Sequence, residues 1–139
     1  MGLILDTSVL IAAEKKQFDL VRLFAAHGEE SFFIAAITAS ELLHGVERAQ
    51  TAAQKQNRSR FVEAVLARLE VIDFDLPVAR RHAVLWAMLE QAGRVIGVHD
   101  MLIAATALEH DHTLATLNGA EFNRVPALRI IDPAPFRLG

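Results

Sequence analysis

The chain has 139 residues, 53% hydrophobic and 22% charged, with a formal net charge of −3 and a pI near 6.0. That size and balance suit one compact domain over 1–139 with a real core, and they exclude a protein that coats nucleic acid through an overall basic face. No apolar run approaches the ~20 residues of a membrane span, an acid arrives by Asp6, too early for a signal peptide, and cysteine is absent, so a soluble, cytoplasmic protein without membrane association is expected, and any metal must use oxygen or imidazole ligands.

In chain order, short apolar runs at 3–5, 32–36, 71–74, 114–116 and 128–131 predict buried strands. Between them, segments 17–27, 37–50, 54–70, 77–92 and 99–111 carry apolar residues at three- and four-residue spacing and predict helices. Val78, Leu85 and Leu89 form one such stripe, with Trp86 beside it as core or interface. Strands alternating with helices predict an α/β fold, a mainly parallel sheet of about five strands covered by helices on both faces. Thr38-Ala39-Ser40-Glu41 and Asn118-Gly119-Ala120-Glu121 read as capping boxes that start two helices. Lys15-Lys16, the stretch from Lys55 to Arg60, and Arg80-Arg81 are local cation clusters; each is an ordinary solvated face unless the fold gives it a task.

Four polar residues share one context. Asp6 ends the first strand, Glu41 lies in the first turn after the second, Asp100 opens the helix at 99, and Asn118 follows the fourth strand. In a parallel sheet these places lie along the carboxyl edge of the strands, so they can converge in one crevice. Capping and the helix dipole explain each acid separately. A set of clustered carboxylates must instead take up a proton or recruit a cation, and oxygen ligands with room for water and phosphate suit Mg²⁺ or Mn²⁺. Phosphodiester hydrolysis is the reaction class that such a site serves.

The motifs carrying these residues resemble those of the PIN-domain family, and within it the VapC-like toxin ribonucleases. Leu3-Ile4-Leu5-Asp6-Thr7-Ser8 is similar to the family's opening strand and first acid. Ile37-Thr38-Ala39-Ser40-Glu41-Leu42-Leu43-His44-Gly45 is similar to the second motif, His99-Asp100-Met101-Leu102-Ile103-Ala104-Ala105 to the third, and Leu114-Ala115-Thr116-Leu117-Asn118 with Glu121-Phe122 to the fourth. The resemblance covers nearly the whole chain in the family's order. It implies a three-layer α/β/α PIN-like domain and a metal-dependent endoribonuclease acting on tRNA, rRNA or mRNA. Asp6, Glu41, Asp100 and Asn118 are then the catalytic and metal-binding residues, and a homodimer silenced by a cognate VapB-like antitoxin is expected. Asn118 stands where many members have Asp; Glu121 either supplies that acid or serves as a capping partner, and capping is the favoured reading.

Other classes fit less well. A haloacid-dehalogenase-like phosphatase needs a second Asp where Ser8 stands, and a receiver needs a late Lys, but no Lys follows Lys55. A PIN-type RNA-processing nuclease without a toxin role, or a non-catalytic PIN scaffold, would share the same motifs; the presence of Asp6, Glu41 and Asp100 together disfavours the latter. Glu41-Leu42-Leu43-His44 has the Glu-x-x-His spacing of di-iron bundles, but only one copy is present. His44 and His99 read as pocket-edge or packing residues and His110-Asp111-His112 as a surface cap. Thr7, Ser8 and Thr116 stand evenly between orienting Asp6 and starting a helix or finishing a strand.

Overall fold

The computed structural model describes residues 2–139. Five strands form one sheet in the order β3-β2-β1-β4-β5, and every adjacent pair is parallel. Central β1 (Gly2–Leu5) is buried along its whole length, as a strand covered on both faces must be. β2 (Ser31–Ala35) and β3 (Glu70–Ile72) lie to one side; β4 (Thr113–Ala115) and β5 (Ile130–Ile131) lie to the other. Side-chain alternation then builds two cores. Ile4, Ala35 and Leu114 face one side, where α5 (Leu76–Gln91), α6 (Val98–Glu109) and α7 (Gly119–Phe122) pack. Leu5, Ile34 and Ala115 face the other side, against α1 (Thr7–Glu14), α2 (Leu20–Ala26), α3 (Ala36–Glu47) and α4 (Ala52–Arg68). The expected α/β/α layering is present, and all strand pairings are parallel.

Local chemistry explains the helix boundaries. Asp19, Thr51 and Asp75 each accept a bond from the backbone amide three residues on, which starts α2, α4 and α5, and Pro77 sits where its missing N–H costs nothing. α1 was not expected from the sequence. It follows β1 directly, and its Val9 and Leu10 are fully buried, so its apolar content reads as a continuation of the strand.

Both proposed capping boxes are corrected. α3 begins at Ala36, two residues before Thr38, and its N-cap Ala35 has no side-chain bond. Asn118 is the N-cap of α7, but it makes no side-chain cap either. Thr38 and Glu41 instead meet Thr7 and His99, and Glu121 accepts the Gly97 amide as well as Asn118 Nδ2, so the oxygens of both motifs are used at the sheet's carboxyl edge. Trp86 is also corrected in part: it lies outside the core, 48% exposed, with its ring 5.6 Å from that of His82. His112 is no surface cap. It stacks on Phe33 at 4.4 Å and its Nδ1 accepts the Gly2 amide N–H at 3.1 Å.

Candidate active site

The chain runs outward from β1 to β2 and β3, then returns to add β4 and β5 on the other side. That reversal opens a crevice between the carboxyl ends of β1 and β4, the usual ligand position in such sheets. Asp6 follows β1 at this point and is only 3% exposed. A buried carboxylate must be hydrogen-bonded, and two hydroxyls serve it. Ser8 Oγ donates to Asp6 Oδ2 at 2.7 Å, and Thr116 Oγ1 donates to the same oxygen at 2.8 Å across the switch point. Each hydroxyl accepts a backbone amide in turn, from Leu117 at 3.2 Å and Asn118 at 2.9 Å. With an N–H already pointing at it, each hydroxyl has its proton directed at Asp6. The residues that the sequence left evenly balanced thus fix the rotamer of the central acid, and Oδ1 takes no hydrogen bond from the described residues.

Glu41 reaches the crevice from the second turn of α3. Its Oε1 accepts a 2.7 Å bond from Thr7 Oγ1, which also lies 3.1 Å from the fully buried Thr38 hydroxyl. Its Oε2 lies 3.3 Å from His99 Nδ1. His99 is therefore a neighbour of the site, while His44 is exposed on α3 and lines a separate crevice with Ala39 and Leu43.

Asp100, in the first turn of α6, shows the strain of the arrangement most clearly. Its carboxyl is pushed up to about 7, chiefly by burial, then by a hydrogen bond with Glu121 and by the negative charges of Asp6, Glu121 and Glu41. Glu121 goes the other way. The Gly97 amide donates to its Oε1 at 2.8 Å and Asn118 Nδ2 donates to its Oε2 at 2.9 Å, and these two bonds hold it below the usual carboxylate range. Near neutral pH the pair shares a proton, carried by Asp100. The capping role favoured for Glu121 gives way to a bridge between α7, the turn before α6 and Asp100; the signal in the sequence was an acid six residues beyond the end of β4.

Asp6, Glu41 and Asp100 are thus brought within electrostatic reach of one another, with Asn118 at the rim acting through Glu121. Among the described residues no three His, Asp or Glu side chains are already set as the ligands of one ion. Asp6 Oδ2 and both Glu41 oxygens are engaged by hydroxyls and His99, and Asp100 shares a proton with Glu121. The donor chemistry fits a hard divalent cation: all-oxygen, anionic, at a strand-end crevice, with one carboxyl that ionises fully near neutral pH only when a positive charge replaces its proton.

Comparison with known proteins agrees with this architecture. The family model for the PIN domain matches residues 3–128. Ribonuclease VapC1 of Rickettsia felis is 34% identical over 131 residues, 94% of this chain and 96% of that protein. The tRNA(fMet)-specific endonuclease VapC of Salmonella typhimurium is 32% identical over 128 residues, covering 92% and 95% of the two chains. Among solved structures, VapBC2 from Rickettsia felis bound to a DNA fragment from its promoter aligns with a TM-score of 0.86 at 32% identity, over 94% of this chain and 98% of that one.

Proposed function

The chain belongs to the PIN domain family, and on that premise we propose that it is a metal-dependent endoribonuclease, the toxin of a VapBC-type pair, in which Asp6, Glu41 and Asp100, assisted by Asn118 and Glu121, hold Mg²⁺ or Mn²⁺. One observation carries the reading: acids from the ends of β1, α3 and α6 share one crevice, where burial first, then the bond with Glu121 and the charges of Asp6, Glu121 and Glu41, push the Asp100 carboxyl up to about 7. A bound divalent ion would neutralise that cluster and supply Lewis acidity toward water and a phosphate oxygen.

The chain's own residues do the rest. Ser8 and Thr116 hold Asp6 in one rotamer through Oδ2, and Oδ1 takes no hydrogen bond among the described residues. Asp100 gives up its proton when a cation takes that proton's place, so occupancy of the site rises with pH. With Oε1 committed to Thr7, Glu41 would use Oε2, which lies 3.3 Å from His99 Nδ1, to orient an attacking water. RNA as substrate is supported by the ribonuclease names of relatives at 32–34% identity. A VapB-like antitoxin is supported by the VapBC assemblies that the fold matches. A homodimer would cover the exposed apolar surface formed by Phe74, Leu76 and Trp86, each about half exposed or more.

Purified protein incubated with total tRNA and ribosomal RNA should cleave in Mn²⁺ and stop in EDTA. Asp6→Asn should be slower by about 10²- to 10³-fold, the range for losing one preorganised electrostatic stabiliser. Equal cleavage by the variant, or indifference to the chelator, would overturn the proposal.

A further inference from the structure

We propose that a basic crevice opening on Glu41, between the ends of α1 and α3 and the start of α4, binds the phosphate backbone of single-stranded RNA and feeds it to the acid site. The inference rests on the ribonuclease reading and adds where the substrate lies.

Two of the cation clusters seen in the sequence, some forty residues apart, meet here. A crevice of ≈ 420 Å³ is walled by Glu41 at one end and by Lys15, Arg48 and Arg58. A second, of ≈ 490 Å³, adjoins the first across Glu14, Gln54 and Arg58 and adds Lys16 and Arg60. Five cations thus face two carboxylates, Glu14 and Glu41, in a chain whose net charge is −3. The charge is concentrated where a polyanion would need it.

Helix dipoles account for part of this. Lys15 and Arg48 are the C-caps of α1 and α3, where a cation is favoured. Dipoles do not explain why both helix ends turn their cations toward α4 on a path that ends at Glu41. Nor are those cations spent on protein partners. Arg58 braces the crevice, donating to the Gly45 carbonyl at 2.9 Å and lying 3.5 Å from Glu14, whereas Lys15, Lys16, Arg48 and Arg60 form no ion pair among the described residues. The third cluster behaves differently: Arg81 is paired with Glu109 on the α5–α6 side and lines neither crevice.

The crevice also offers what bases need. Half-buried Phe61 lines its far part and exposed Ile11 the part nearest Glu41, giving apolar faces between cations, the combination by which proteins hold unpaired strands. Cations alternating with apolar faces match the alternating phosphates and bases of an unpaired strand, so single-stranded RNA is the occupant that this lining fits.

The test separates this inference from the nuclease reading. Lys15→Gln/Lys16→Gln/Arg48→Gln protein, with Arg58 kept as the brace, is compared with wild type on a single-stranded RNA oligonucleotide in Mn²⁺, and Arg80→Gln/Arg81→Gln serves as the off-crevice control. Three lost phosphate contacts should flatten the plot of log affinity against log salt by about 2, and raise KM about tenfold at low salt, with kcat within about twofold of wild type. The same salt slope is read by fluorescence anisotropy on Asp6→Asn protein, which does not depend on cleavage. If the triple variant does not fold, Lys15→Gln/Lys16→Gln, both exposed at the end of α1, should flatten the slope by about 1.4. A folded variant with unchanged KM and slope overturns the proposal, and so does a variant that loses affinity for polyglutamate while RNA binding stands. Failure of wild type to cut any RNA would sink the nuclease reading alone, leaving the anisotropy to judge the crevice.

Discussion

The two ends of the sheet solve the problem of a buried polar group in opposite ways. At the amino end, β1 starts with an amide that β2 and β4 leave open, and His112 closes it: Nδ1 accepts the Gly2 N–H while the ring stacks on Phe33. Imidazole is neutral at ordinary pH, so this end is complete without a ligand. At the carboxyl end the groups are acids, and internal bonds to Ser8, Thr7, Thr116 and Gly97 orient them without removing their charge. Both ends are well bonded, yet only the carboxyl end stores a charge imbalance. Hydrogen-bond satisfaction and electrostatic balance are therefore separate conditions, and a site can meet the first while failing the second.

The largest expected effect comes from removing that imbalance. Asp100→Asn keeps a donor toward Glu121 and deletes a carboxyl that resists ionisation. At about pH 8, where wild-type Asp100 must be charged, the variant should melt higher than wild type in EDTA, and Mn²⁺ should no longer raise its Tm. Cleavage should fall by about 10²- to 10³-fold. A variant less stable than wild type at that pH, with its Mn²⁺ response intact, would show that the carboxyl end is no more strained than the amino end.

An intermediate effect belongs to the amino end, which packing governs. A Cβ on Gly2 would lie 2.7 Å from Phe33 Cε2 and 2.7 Å from the Ser31 carbonyl oxygen. The second contact is backbone and cannot rotate away, so Gly2→Ala should lower stability by about 1–3 kcal/mol through overpacking, read by urea denaturation, with the Mn²⁺ response unchanged. Loss of that response would mean that the two ends are coupled through β1.

The sequence shows the fold well where one cause acts alone. Leu3-Ile4-Leu5 reads as a buried strand because burial on both faces leaves no other residue choice, and the stripe of Val78, Leu85 and Leu89 marks α5 to within a residue of its ends. It shows less where one residue has two uses. Thr38 and Glu41 have the spacing of a capping box, but the helix had already begun at Ala36 and their oxygens turn to Thr7 and His99. Asp6, Glu41 and Asp100 were legible as a converging set because strand ends in a parallel sheet share an edge. Glu121 was legible only as a candidate acid or cap, because its partners Gly97 and Asp100 lie more than 20 residues away in an element that no local pattern links to it. The crevice cations were visible as clusters but not as a path, since the meeting of α1, α3 and α4 is a tertiary fact.

The smallest effect compares the two ends by pH, and their signs differ. Asp100 has a folded pKa raised from 3.8 to about 7, so the stability tied to its proton is fully present below 3.8, is lost as pH rises toward about 7, and changes no further above that. His112 is lowered from 6.5, first by burial, then by the neighbouring charges of His110 and the amino terminus, which outweigh Asp111 and Glu70. Its contribution is fully present above 6.5 and is lost as pH falls toward its folded value, because a protonated Nδ1 would face the Gly2 N–H as a second donor. In metal-free buffer, acidification from neutral pH should therefore strengthen the carboxyl end while weakening the amino end, and the net change in Tm should be small. His112→Gln keeps an acceptor for Gly2 without titrating, so its Tm relative to wild type should rise below pH 6.5, whereas that of Asp100→Asn should fall over the same range as wild-type Asp100 regains its proton. Parallel drift of the two variants would mean that these groups do not carry the pH response, and that the contrast between the ends lies in packing alone.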